Sequence, residues 1–360
     1  MKKPTFKISD FLTDLKERLN IDGQMILLLG IFSVLMVFFT IMGDKFLTVR
    51  SFTSMGFQLP EIGILALAMM VSILIGGINL SINATANLGA VLAGYFLFKM
   101  FPPEDTGQIA QIFTQINFPV DAEAGIYTIY IVIAILIPIV VGILTGMING
   151  YLVGYLSVPP ILATLASLSL FTGISTGLTK GRTITGFPPN FELIGAETFL
   201  GIPIPFIIFL VMTVVTFIIL NHTTLGFKMK MLGTNPTASE FSGINNKTVI
   251  MKTYIYSGLL SSIAGIIVMS RTMSAAYEYG SKSYVLFSIL IAVLAGMSPG
   301  FGNVINIFIS VLILQILSTG FHMILLGVRG SSFFKDFSWG ILLILIFVIN
   351  YFVRGRKAEE

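Results

Sequence analysis

The chain has 360 residues, 55% of them hydrophobic and 11% charged, with 21 Lys or Arg against 17 Asp or Glu and no cysteine. That balance excludes a soluble globular core: several apolar runs reach the ~17–25 residues needed to cross a bilayer, so the chain reads as a polytopic membrane protein. The lack of thiols excludes disulfides, thiolate metal sites, iron–sulfur clusters and a cysteine nucleophile.

Near the N-terminus, Phe6, Ile8, Phe11, Leu12, Leu15 and Leu19 recur at helical spacing, with Lys7, Asp14, Lys16, Glu17 and Arg18 elsewhere on the wheel. This predicts an amphipathic helix in the inner membrane interface, within a cytoplasmic segment 1–24. Met42-Gly43-Asp44 offers no small-x-small cleavage site, so the first apolar run is expected to remain as a membrane helix. About ten apolar segments can be drawn: 25–42, 62–78, 83–100, 127–150, 158–179, 202–220, 250–271, 284–297, 302–324 and 337–353. They predict an all-α polytopic domain over 25–353, followed by a cytoplasmic tail, 354–360. As one helix, 62–100 would run about 58 Å, roughly twice the hydrocarbon thickness. A break is therefore expected at Gly76-Gly77-Ile78-Asn79, and Ser298-Pro299-Gly300-Phe301-Gly302 separates the eighth run from the ninth.

With an even number of spans and the N-terminus inside, the cytoplasm receives Lys2, Lys3, Lys7, Lys16, Arg18, Lys228, Lys230, Lys247, Lys252, Arg354, Arg356 and Lys357, twelve of the 21 basic residues. Loop 101–126, on the other side, carries Glu104, Asp105, Asp121 and Glu123 without a Lys or Arg. Both termini are thus predicted to be cytoplasmic.

Glu61, Lys99, Asp336 and Arg354 are placed at span ends, which argues against a self-energised proton pump. Sodium coupling through carbonyls and hydroxyls stays open. The spans carry amides and hydroxyls instead. Asn79, Ser81, Asn83, Thr85 and Asn87 follow the Gly pair, Asn149 ends the fourth run, Thr164 to Thr176 line the fifth, and Asn303, Asn306 and Gln315 mark the ninth. Such groups suit a polyhydroxylated or zwitterionic solute, and they equally suit hydrogen bonding between packed helices. The cluster at 79–87 makes the strongest case for a lining, because its polar groups coincide with broken helix geometry. Gly76, Gly77, Asn79, Ser81, Asn83, Asn87 and Thr164 are therefore the candidate translocation pathway. His222 and His322 fall on opposite faces and cannot share a metal, and no GxSxG, HExxH or GxxxxGK[ST] occurs. No catalytic, cofactor or metal site is expected, so any ATP would be used by a partner subunit.

One sizeable polar stretch, Gly226 to Lys252, falls on the predicted cytoplasmic side. Asn235 suits an N-cap, Pro236 the first helical position and Gly243 the left-handed position after the last turn, which predicts a helix over Pro236–Ser242. So short a helix is marginal alone and should be held by the membrane domain or a partner. Small side chains at Ala238, Ser239, Ser242 and Gly243 would let another surface approach, with Pro236 and Glu240 on the same element. An ordinary capped loop helix and a docking element both fit.

Four pieces recur in order: GGINLSINATANLGA (76–90), VPPILATLASLSLFTGISTGLTKGR (158–182), LGFKMKMLGTNPTASEFSGI (225–244) and AGMSPGFGNV (295–304). Together, across about Glu61 to Phe352, the chain resembles the membrane permease subunits of bacterial ATP-binding-cassette importers for ribose and related simple sugars, a group akin to the branched-chain amino acid permeases. The resemblance implies a ten-span homodimeric permease in the bacterial cytoplasmic (inner) membrane, working by alternating access with a separate ATPase and an extracytoplasmic solute-binding protein. By position, Gly233, Asn235, Ala238, Ser242, Gly243 and Ile244 would sit in or beside the ATPase-coupling element within the loop 221–252. Departures are Asn79 where the family has Asp, Ala295-Gly296 where it has Gly-Gly, and long loops at 101–126 and 320–336. A secondary facilitator or sodium-coupled symporter for a small polar solute is the alternative. A membrane scaffold or intramembrane enzyme comes last, and nothing points to nucleic acid. Pentose, hexose, nucleoside and signalling sugar all fit the neutral lining.

Overall fold

The computed structural model describes residues 23–43, 46–100, 124–280 and 283–324, with single positions 337, 340, 341 and 344 beyond them. The amphipathic N-terminal segment, the acidic part of loop 101–126, most of the tenth apolar run and the C-terminal tail lie outside these residues. The described chain forms α1 (Gly23–Met42), α2 (Val49–Leu74), α3 (Ile82–Met100), α4 (Ala124–Gly154), α5 (Pro160–Thr179), α6 (Ile204–His222), α7 (Thr224–Thr234), α8 (Pro236–Phe241), α9 (Asn246–Thr272), α10 (Tyr284–Leu294) and α11 (Val304–Ile324). Seven of these (α1, α2, α4, α5, α6, α9 and α11) are long and apolar enough to cross a membrane, while α3 and α10 are shorter apolar helices. Nine of the ten predicted runs thus appear as apolar helices among the described residues.

The largest boundary correction is at α2, which begins at Val49 instead of near residue 62. Thr48 caps it, its Oγ1 accepting from the Ser51 N–H at 3.3 Å. Hydropathy counts Arg50, Gln58 and Glu61 against a span, and Pro60 argues for a boundary, but the helix runs through all four. The fourth helix is also longer than expected, so Asn149 lies inside α4 and does not end it.

The predicted break is present. Regular helix stops at Leu74 and resumes at Ile82, with Gly76 at φ +82°. Gly77 has no room for a side chain: a Cβ there would come 2.7 Å from the Tyr254 hydroxyl. The segment between the helices is fastened at its start, where the Gly300 N–H donates to the Leu74 carbonyl at 2.8 Å.

α2, α9 and α11 form the buried centre, whereas α1, α5 and α6 leave most of their residues exposed or half-exposed. Against α9 runs a face of α4 made of Gly142, Gly146, Gly150 and Gly154, meeting the backbone of Gly258, Tyr254, Met251 and Lys247 in turn. Small residues four apart let two helices approach to backbone contact.

Two-residue strands tie the connections at one end. β1 (Ile184–Thr185) pairs antiparallel with β4 (Ser274–Ala275), and β2 (Thr198–Phe199) with β3 (Ile202–Pro203). A 3-10 turn, Pro189–Ile194, carries the buried Phe191, whose carbonyl accepts from Ser270 Oγ at 2.6 Å. His322 closes α11 at this hairpin end, and His222 closes α6 at the opposite end, next to α7.

Candidate functional site

α8 spans Pro236–Phe241, one residue shorter than expected. Its predicted caps are both present: Asn235 Oδ1 accepts from the Ala238 N–H at 3.0 Å, and Gly243 takes φ +78°. A clasp fixes the helix to α9, with Ser239 Oγ donating to Asn246 Oδ1 at 2.8 Å and Asn246 Nδ2 donating to the Pro236 carbonyl at 2.9 Å. Ser239 is therefore buried beneath the helix, unlike its small neighbours. Asn235, Pro236, Ala238, Glu240, Ser242 and Gly243 are exposed, and Ile244 is half-buried. Gly233 plays a different part: its α-carbon rests on the Leu74 carbonyl and the backbone of Gly300, joining α7 to the break and to the turn before α11.

The residue that sequence reasoning missed here is Phe241, 89% exposed at the tip of α8. A large aromatic closing a short polar helix was the available signal, because aromatic side chains are enriched among the anchors of protein–protein contacts.

The polar groups after the break assemble at two levels. At the first, Asn79 Nδ2 donates to Ser257 Oγ at 3.0 Å, Asn79 Oδ1 accepts from the Ser81 N–H at 3.1 Å and from its hydroxyl at 2.8 Å, and Asn149 Nδ2 donates to Ser81 Oγ at 2.8 Å. Thr164 Oγ1 donates to the Ile78 carbonyl at 3.0 Å, tying α5 to the unwound segment. At the second level Asn83 Nδ2 holds the Tyr279 carbonyl at 3.0 Å, and Asn87 Nδ2 holds the Tyr277 and Tyr279 carbonyls at 3.3 and 3.1 Å. The space beside Asn83 and Asn87 is about 10 Å³, room for roughly one water. Asn149 Oδ1 and the Tyr254 hydroxyl are buried with no hydrogen-bond partner among the described residues. Asn79→Leu removes three of these bonds and is expected to cost about 1–3 kcal/mol, read as a lower melting temperature of the purified protein in detergent.

The family described as branched-chain amino acid transport system, permease component, matches residues 51–349. The chain belongs to this family. Over 342 residues it is 32% identical to the ribose import permease protein of Bacillus subtilis (strain 168), covering 93% of this chain and 96% of that one. A ribose import permease protein of Haemophilus influenzae is 32% identical over 90% of this chain and 92% of its own. The autoinducer 2 import system permease protein of Yersinia enterocolitica is 28% identical over 80% of this chain and 79% of its own. No solved structure matches. The protein is a multi-pass membrane permease component of an ATP-binding-cassette importer, not itself a catalytic subunit.

One charged residue of the permease is not where hydropathy put it. Glu61 lies in the interior of α2 instead of at a span end, and it is 1% exposed. Arg271 in the last turn of α9 donates from Nε to Glu61 Oε1. Tyr284 Oη donates to Glu61 Oε2 at 2.9 Å, and Arg271 Nη2 donates to Tyr279 Oη at 3.0 Å. The partners stand 210 residues apart in the chain, so spacing carried no signal of the pair.

Proposed function

We propose that the permease carries a small, neutral, polyhydroxylated solute of the ribose class across the bacterial cytoplasmic membrane, driven by a separate ATPase that docks on the segment 221–252. The near-full-length likeness to two ribose import permeases carries the choice of solute class. The autoinducer import permease widens it to related signalling sugars. On this reading the α8 end of the bundle is cytoplasmic, both termini lie on that side, the tenth run completes ten spans, and a solute-binding protein delivers to the hairpin end.

The docking surface would consist of Asn235, Pro236, Ala238, Glu240, Phe241, Ser242, Gly243 and Ile244, with Gly233 relaying movement to the break. A clasped but exposed helix supports this, since α8 is too short to persist alone in water and no other described residue covers its outer face. The break residues Gly76, Gly77, Asn79, Ser81, Asn83, Asn87 and Thr164 would form the inner wall of the pathway. Their bonds tie two half-helices to α5, α4 and α9 and would exchange as the bundle rocks.

A second copy of the chain would pack on α5. Its outer face carries Gly173 and Gly177, at which an added Cβ would meet nothing within 4 Å among the described residues, and exposed Leu170 and Ile174 lie on the same helix. The same four-residue spacing is occupied by α9 on α4.

Phe241→Ala and Gly243→Trp are each expected to lower recovery of the ATPase with the purified permease at least tenfold, about 1.4 kcal/mol, with the permease still monodisperse. Unchanged recovery in both would refute docking at α8. The function itself is tested in proteoliposomes containing permease, ATPase and binding protein: ATP-dependent uptake of D-ribose or another neutral monosaccharide is expected, and uptake by the permease alone would instead mark a secondary transporter.

A further inference from the structure

A second segment, distant in sequence, stands beside α8 at the same end of the bundle. Between α10 and α11 the chain turns through Ser298-Pro299-Gly300-Phe301. Local chemistry builds this turn: Pro299 fits its second position, Gly300 takes φ +78°, and Ser298 and Phe301 exchange two backbone hydrogen bonds of 3.0 Å. Proline followed by a residue at positive φ is the pattern of a type II turn, which glycine completes without strain. Phe301 closes the turn and is 64% exposed.

The turn is also fastened to its neighbours. Its Gly300 N–H holds the Leu74 carbonyl at 2.8 Å, and a Cβ on Gly300 would collide with the Thr234 hydroxyl. Thr234 ends α7, and the next residue, Asn235, caps α8. The ends of α2 and α7 and the turn therefore meet backbone to backbone, with Gly233 and Gly300 leaving no side chain between them. Phe301 follows directly on that joint.

We propose that this turn is a second contact for the ATPase, anchored by Phe301; the inference rests on the docking reading above and adds to it a surface outside the segment 221–252. Phe241 and Phe301 are exposed rings on two segments that share one joint, and large aromatics are the residues that most often anchor protein–protein contacts. A ring serving only to anchor in the bilayer interface needs no fixed position relative to α8, and Trp or Tyr on any connection fills that role. Here the ring is held in register with the foot of α8.

The arrangement gives the contact a mechanical consequence. The Leu74 carbonyl, where α2 stops and the break begins, accepts from Gly300 and lies against Gly233. A partner gripping both Phe241 and Phe301 would move α7 and the turn as one body, and both would act on that single carbonyl.

Photocrosslinking tests the contact. With p-benzoylphenylalanine in place of Phe301, irradiation of the assembled complex in lipid nanodiscs is expected to give a covalent permease–ATPase product. The same residue in place of Leu200, 88% exposed at the opposite end, is expected to give none. Phe301→Asp is expected to lower recovery of the ATPase with the purified permease at least fivefold, with the permease still monodisperse. Gln24 Nε2 donates to the Leu294 carbonyl at 2.8 Å, which brings the start of α1 to the same end. A photoproduct confined to the permease chain, mapping to the segment 1–22, would therefore overturn the inference, as would a product with lipid alone or full ATPase recovery with Phe301→Asp. If Phe301→Asp is not monodisperse, the photoproduct decides alone. The same photoreactive residue in place of Phe241 separates the two readings: an ATPase product from 241 without one from 301 sinks the second contact only, whereas none from either position sinks docking at α8 as well.

Discussion

Gly146→Leu is expected to yield no monodisperse permease after detergent extraction, measured by size-exclusion chromatography of a fluorescent fusion. A Cβ at this position would lie 2.5 Å from the Tyr254 carbonyl oxygen and 2.6 Å from the Ile255 α-carbon. Neither is a side chain that can turn aside, so α4 and α9 would have to separate. Ordinary overpacking costs about 1–3 kcal/mol, and parting this seam adds the loss of contacts at Gly142, Gly150 and Gly154, which belong to the same face. Since α9 is itself part of the buried centre, the loss is not local. Gly177→Leu on α5 makes the contrast. Among the described residues an added Cβ there would meet nothing within 4 Å, so the protomer should extract and elute as folded, while the proposed pairing of two copies should fall. A monodisperse Gly146→Leu protein with unchanged melting temperature would refute the backbone-contact seam.

Arg271→Gln is expected to be the second most damaging change. It leaves Glu61 buried in α2 without its cationic partner, the Tyr284 hydroxyl still donating to it. Removing one partner of a buried pair typically costs about 3–5 kcal/mol, because the other charge stays desolvated and uncompensated. The double variant Glu61→Leu, Arg271→Met removes both charges and is expected to recover most of the lost thermal stability. Arg271→Gln with an unchanged melting temperature would refute the coupling of the two residues.

Local chemistry made α8 legible. An Asx cap, a proline at the first position and a glycine in the left-handed region are each decided by residues within one turn, and the helix ends within one residue of expectation. The break after α2 was legible for the same kind of reason: hydrocarbon thickness forbids one helix from 62 to 100, and a glycine pair is where the chain bends most cheaply. Most apolar runs were legible because burial in lipid demands nothing beyond length and hydropathy.

The start of α2 was not legible. Arg50, Gln58, Pro60 and Glu61 read locally as a polar boundary, and the partners that Glu61 needs inside a helix, Arg271 and Tyr284, come from distant segments. Likewise, the polar cluster at 79–87 announced itself, but which carbonyls and hydroxyls its amides would hold did not. The glycines of α4 and α5 share one spacing, and nothing in that spacing says which face is met by another helix and which is left open.

The sequence by itself determined that this chain lives in the membrane as a bundle of helices, where it bends, and where its short polar helix caps. Only the tertiary structure decided that Glu61 meets Arg271, that Gly146 lies on the backbone of α9 while a Cβ at Gly177 would meet none of the other described residues, and that Phe241 is exposed. The physical reason is range: caps, turns and bilayer-length hydropathy act within a few residues, whereas desolvation and close packing depend on which distant segments the fold brings into contact.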